Sequence, residues 1–234
     1  MPRARGPAVR VTVAGGVARV GLPAADADGV AFAEACEALG DDARVRVVVI
    51  EGQGGAFAAP GGAAAAVASL VLPVVAALDG TVSGEGLAVA LACDLRLATP
   101  ATRLVLDEAR QGRLPGGGVT QRLPRLVGPA RAMELLLLGR PLSARTALSW
   151  GLVHRVVPRA RLRAAAAALA RELAARAPLA MRYGKEAVLR ALDLPLADGI
   201  ALEHDLYVLL QTTADRREGV RAFLAKRRPR FTGR

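Results

Sequence analysis

Six residues at positions 45–50, VRVVVI, β-branched except for Arg46 and closed by Glu51-Gly52, constrain this chain more than any other segment. Such a run fits a strand covered on both faces, the condition of a strand inside a parallel sheet flanked by helices. A second run, PVVAAL at 73–78, stops at Asp79-Gly80. A third, CDLRLA at 93–98, follows a segment at 84–92 in which Leu87, Ala88, Leu91 and Ala92 recur at helical spacing. Strand, turn, helix, strand is the repeating theme. Ahead of these runs, residues 9–13 and 17–22 bracket Gly15-Gly16, a two-residue turn signal that predicts a β-hairpin, and residues 30–39 carry a short helical pattern. Beyond Pro115 the pattern is helical almost throughout, at 119–126, from Pro129, and at 144–150, 161–176, 179–192, 200–213 and 216–226. The reading is an α/β body over residues 1–177 and a helical region over 178–234, divided near Pro178.

A chain of 234 residues that is 53% apolar can bury a full core. Its longest apolar stretches, at 63–72 and 164–170, are alanine-rich and far short of a bilayer span, so no transmembrane helix and no membrane partner are expected. The basic residues 1–10 run into Val11, Thr12 and Val13 rather than an apolar signal core, which predicts a cytoplasmic protein. Cys36 and Cys93 stand far apart with no second pair of metal ligands nearby, so neither a disulfide scaffold nor a metal site is expected.

Three ordered segments resemble the signature of the enoyl-CoA hydratase/isomerase (crotonase) family. They are VRVVVIEGQGGAFAAP at 45–60, DGTVSGEGLAVALACDLRLA at 79–98 and LVLDEARQGRLPGGGVTQRLPRL at 104–126. The stretch from Gly128 to Pro158 and the tail DRREGVRAFLAKRRPRF continue the resemblance, which covers the chain from Val9 onward. The family's fold, a spiral of strand-strand-helix repeats with a C-terminal helical region for oligomerisation, is therefore expected, as a shortened member. The resemblance also implies an acyl-CoA or acyl-carrier-protein thioester as substrate, no cofactor beyond coenzyme A within that substrate, and a homotrimer or hexamer. The net charge of +11 suits a polyanion. With aromatic residues at 3% and no nucleic-acid motif in sight, the phosphates of coenzyme A are preferred to nucleic acid.

Chemistry beside a thioester carbonyl passes through an enolate-like oxyanion, which needs preorganised donors. The resemblance places one donor N–H on Gly61, after Ala59-Pro60, and the other on Glu85, in the middle of Gly84-Glu85-Gly86. Ala59 then belongs to the substrate-binding turn. Glu108 falls where the family has its acid/base glutamate, able to move a proton at the α or γ carbon or to activate water. Phe223 and Lys226 match residues that in the family reach the adenine and phosphates of coenzyme A, often across a subunit boundary. His154 and His204 have no nucleophile motif around them and read as structural.

Departures from the pattern sharpen the expectation. Family hydratases place a second glutamate three residues after the middle glycine, and here that position is Ala88. The two-carboxylate hydration mechanism is incomplete, which favours 2-enoyl/3-enoyl isomerisation or a related one-base reaction. The Glu85 side chain is expected to point to solvent. Pro60 and Gly62 replace a glycine and an aspartate, and only eleven residues separate Gly61 from Pro73 where relatives carry a longer helical lid. The acyl pocket is thus expected to be open or completed by a partner. Two other readings remain: a non-catalytic accessory subunit in a biosynthetic pathway, and, third, an RNA-binding protein.

Overall fold

A computed structural model describes residues 9–53 and 55–234. Residues 1–8, on which the absence of a secretory leader was read, and Gly54 lie outside the described residues. The hairpin forms as the turn signal requires, β1 (Arg10–Ala14) pairing antiparallel with β2 (Val17–Gly21). Both turn residues, Gly15 and Gly16, have positive φ, the conformation that matches the strand twist of a two-residue hairpin. Helix α1 (Gly29–Asp41) follows, its first turn capped by the Asp28 carboxylate.

The chain then makes three similar turns. Each begins with a long strand, continues into a two-residue strand of a second sheet, and closes with a helix. The first is β3 (Val47–Glu51), β4 (Ala56–Phe57) and α2 (Ala63–Ala68). The second is β5 (Val74–Leu78), β6 (Thr81–Val82) and α3 (Gly84–Ala92). The third is β7 (Leu95–Ala98), β8 (Arg103–Leu104), a 3-10 turn (Glu108–Gln111) and α4 (Val119–Val127). Helix α5 (Pro129–Leu138), β9 (Leu142–Ser143), α6 (Ala144–Ser149) and β10 (Arg155–Val156) complete two sheets. The larger runs β1-β2-β3-β5-β7-β10, parallel from β2 onward, and the smaller runs β4-β6-β8-β9.

The β-branched run does what its composition demands. Val48 and Ile50 enter the main core with α1, α2 and α3, while Val47 and Val49 face helix α7 (Arg159–Ala174) on the other side. On α7 a stripe of Leu162, Ala166, Ala170 and Ala174 lies against Val47, Val49, Val75, Ala77 and Leu97. Spacing of four residues keeps this stripe on one helix face.

Helices α8 (Pro178–Arg190), α9 (Leu196–Gln211) and α10 (Ala214–Leu224) differ from the rest. No residue of α8 is buried, and α9 buries only Leu206. Leu189, Ile200, Tyr207 and Phe223 are all exposed. One anchor to the core is Lys185, whose Nζ donates to the Leu72 carbonyl at 2.8 Å and to Asp94 Oδ2 at 2.9 Å. The segment at 63–69, featureless as sequence, forms α2 because Gly62, at φ +85°, turns the chain into it. No described helix is long and apolar enough to cross a membrane, and the described residues hold no cluster of three potential metal ligands.

Candidate active site

The turn after β4 and the start of α3 meet at a close backbone approach. A Cβ added to Gly86 would lie 1.9 Å from the Phe57 carbonyl oxygen and 3.1 Å from the Ala58 Cα, so only glycine permits this contact. Behind the same turn, a Cβ on Gly29 would lie 2.2 Å from the Gly61 carbonyl oxygen, so the start of α1 backs the turn and fixes which way that carbonyl points. Pro60, one residue ahead, accepts the Ala63 N–H at 3.2 Å and closes it.

Two N–H groups stay free at this junction. Neither the Gly61 N–H nor the Glu85 N–H finds a hydrogen-bond partner among the described residues. For Glu85 the reason is position, since the first turn of any helix lacks internal acceptors. Around Gly61, Gly62, Gly84, Gly112 and Gly116 there is open space, with nothing within 4 Å of where a Cβ would stand. Gly61, Gly62 and Gly84, next to the two free donors, and Gly112 and Gly116, on the segment after Glu108, thus face open space.

The Glu85 side chain does not point to solvent, contrary to the sequence expectation. It is half-buried, and Oε1 accepts the Ala64 N–H of α2 at 2.8 Å. A six-residue helix with a glycine cap has no side-chain acceptor of its own, and Glu85 supplies one from the neighbouring helix. A Cβ on Gly117 would lie 2.4 Å from the Ala88 Cβ and 2.9 Å from Glu85 Oε2, so Ala88 and the carboxylate crowd the same point. The Gly117 carbonyl in turn accepts from Arg122 Nη1 at 2.7 Å, which holds this glycine loop from the α4 side.

Glu108 opens the same loop as the first residue of the 3-10 turn. It is 7% exposed, and its Oε2 is buried without a hydrogen-bond partner. Among the described residues no group donates to its other oxygen either. An unpartnered buried acceptor costs about 1–3 kcal/mol, and such an expense concentrates where function requires it.

Phe223 and Lys226 lie at the other end of the chain. Phe223 is 81% exposed, and Lys226, just past the Ala225 cap of α10, lies in the left-handed region at φ 51°. No hydrogen bond or ion pair among the described residues joins either to Gly61, Glu85 or Glu108. His154 accepts the Arg96 N–H through Nδ1, and burial with the nearby Arg96 charge lowers its pKa. It is a structural acceptor.

The family model described as Enoyl-CoA hydratase/isomerase matches residues 63–234. The chain belongs to the enoyl-CoA hydratase/isomerase family. It is 44% identical over 171 residues to enoyl-CoA hydratase domain-containing protein 2, mitochondrial, of Mus musculus, covering 71% of this chain and 58% of the relative. It is 42% identical over 161 residues to (E)-benzylidenesuccinyl-CoA hydratase of Thauera aromatica, covering 69% of this chain and 63% of the relative. Those matches span less than two thirds of each relative's length. Among solved structures, an enoyl-CoA hydratase subunit I from Geobacillus kaustophilus HTA426 superposes with a TM-score of 0.90 at 34% identity, covering 99% of this chain and 100% of that one. The two-sheet spiral described above is the crotonase fold.

Proposed function

We propose that this family member binds an acyl-CoA thioester against the open space at Gly61 and Gly84, in a cleft that Glu108 shares, holds the thioester oxygen on the Gly61 and Glu85 N–H groups, and moves a proton with Glu108. The observation that carries the reading is the Glu108 carboxyl, whose Oε2 is buried without a hydrogen-bond partner, in a chain whose Gly61 and Glu85 N–H groups also have no partner among the described residues. Donors set for an oxyanion stabilise the enolate formed when a proton leaves the α carbon, or when a nucleophile adds at the β carbon. A carboxyl free of competing hydrogen bonds is available for either proton transfer. Isomerisation between 3-enoyl and 2-enoyl thioesters and hydration of a 2-enoyl thioester both use this arrangement. Ala59 lines the acyl side of the turn.

The coenzyme A handle, or an acyl-carrier-protein arm in its place, would meet Phe223 and Lys226 from a neighbouring subunit. A homotrimer covering the exposed apolar residues of α8 to α10 provides such a neighbour, and light scattering reporting a stable monomer at micromolar concentration would remove it. The catalytic reading is tested by solvent deuterium incorporation at the α carbon across a panel of saturated, 2-enoyl and 3-enoyl thioesters, beside calorimetric titration of the same ligands. Exchange in the wild type that falls about a hundred to ten thousand fold in Glu108→Gln, with binding retained, is the expected result. Absence of exchange across the panel would move the assignment to an accessory subunit.

A further inference from the structure

We infer that the Glu85 carboxylate, through its free Oε2, is the second proton-handling group of this cleft, and that with it the chain hydrates a 2-enoyl thioester. The inference rests on the enolate chemistry proposed above and adds the group that meets water.

Geometry motivates it. Oε1 is fixed by the Ala64 N–H at 2.8 Å, so the carboxylate has one defined orientation. Among the described residues Oε2 accepts no hydrogen bond, and it faces Gly117, where a Cβ would stand 2.9 Å away. The side chain therefore folds along α3 over Ala88, one turn further on and fully buried. A larger side chain at position 88 or 117 would contest that space, and the chain has a methyl at one and a hydrogen at the other. Glu108 begins the 3-10 turn from which the chain runs on to Gly117, so one glycine-rich segment starts at one carboxylate and passes the other.

Water addition across a conjugated double bond requires two proton transfers at different atoms, and these two groups divide them. Glu85 Oε2 takes a proton from water as the water oxygen bonds to C3. The π electrons move to the thioester oxygen on the Gly61 and Glu85 N–H groups, and Glu108, as the acid, protonates C2 as the enolate collapses. One water is added; Glu85 is left protonated and Glu108 ionised, and exchange with solvent restores both.

Charge timing favours this order. A fixed anion beside an enolate opposes it. Glu85 becomes neutral in the same step that places charge on the thioester oxygen, so the negative charge is relocated and none is added.

The experiment follows hydration of a 2-enoyl-CoA and α-deuterium exchange into a saturated acyl-CoA, in the wild type, Glu85→Gln and Glu108→Gln. Glutamine at 85 keeps an oxygen for the Ala64 N–H and leaves both backbone donors in place. Hydration should fall about a hundred to ten thousand fold in Glu85→Gln with no parallel fall in exchange, because the variant loses an anion that opposes the enolate, and Glu108→Gln should lose both. The acid limb of the wild-type pH profile for hydration should also disappear in Glu85→Gln, which a purely structural role would not cause. Glu85→Asp, which keeps the charge but withdraws it from Gly117, should show the same split and serves if the glutamine variant does not fold. Hydration within about threefold of wild type in Glu85→Gln overturns the inference. Parallel loss of hydration and exchange also overturns it, because the carboxylate is then only a tether for α2. A wild type that exchanges without hydrating refutes Glu85 and spares the enolate reading, whereas one that does neither refutes both.

Discussion

Replacing Gly86 by alanine tests the idea that a single backbone contact aligns the two oxyanion donors. In a helix interior this change normally stabilises by about 0.5–1 kcal/mol, because alanine loses less backbone freedom on folding. Here the new Cβ would stand 1.9 Å from the Phe57 carbonyl oxygen and 2.9 Å from its carbon, both backbone atoms that no rotamer change can clear. Ordinary contact begins near 3.4 Å, so α3 and the turn must part by about 1.5 Å. Gly61 follows Phe57 by four residues, and the Glu85 N–H immediately precedes Gly86, so the displacement falls between the donors themselves. Misplacement of about 1 Å at a preorganised site costs on the order of a hundredfold in rate. Gly86→Ala should therefore melt earlier than wild type, by overpacking of about 1–3 kcal/mol, and lose at least about a hundredfold in α-proton exchange. Gly116→Ala is the matched control, since its Cβ would meet nothing within 4 Å and its φ is not positive. Thermal melting by circular dichroism and the exchange rate, measured on both variants, decide it. A Gly86→Ala protein that melts with the wild type and turns over within about threefold of it refutes the argument.

Glu108→Met removes a buried acceptor that has no partner, and should raise stability by about 1–3 kcal/mol in chemical denaturation while abolishing exchange. Lys185→Met should lower stability in chemical denaturation by about 1–3 kcal/mol, because the Leu72 carbonyl loses its donor and Asp94 loses its cation and keeps only the Val74 N–H, in a site where the lysine is 11% exposed. The Arg227 guanidinium, with the Arg230 N–H, holds the Glu218 pKa down at about 2 from 4.5. A depressed carboxylate stabilises above its unfolded value and loses that contribution as pH falls through its folded value. Protection of the Arg230 amide, taken relative to its intrinsic exchange rate at each pH, should therefore persist at pH 5 and be lost only towards about 2. Burial lifts the Cys36 thiol to about 11 and the Cys93 thiol to about 12, so a thiol reagent at pH 8 should titrate neither in the native protein and both in denaturant.

What the sequence disclosed followed from how local each signal was. The apolar spacing through Leu87, Ala88 and Leu91 locates α3 at Gly84–Ala92, and the valine run marks the central strand, because both are written in consecutive residues. Four two-residue strands, β4, β6, β8 and β9, carry no period at all. Helix α2 is alanine on all but one of its positions, and without polar contrast it shows no face. Glu108, Gly61 and Glu85 could be assigned from the sequence only as motif positions. The Glu85 carboxylate was misjudged because its partner, the Ala64 N–H, lies 21 residues away and belongs to that unmarked helix. Nothing near Glu85 in sequence announces a long-range helix cap.

The alanine stripe on α7 has a consequence for how this protein tolerates change. Ala166 and Ala170 are fully buried and Ala174 nearly so, against strands whose facing side chains leave room for a methyl group. Ala164 and Ala168, on the same helix, are exposed and equally good helix formers. A chain so rich in alanine hides two populations of the same residue: one that could drift to lysine, glutamate or glutamine, and one where each added carbon must be accommodated by moving a helix off a sheet. In a saturation library read out by abundance, α7 should therefore show a four-residue rhythm of intolerance, although the letters of its sequence give no sign of one.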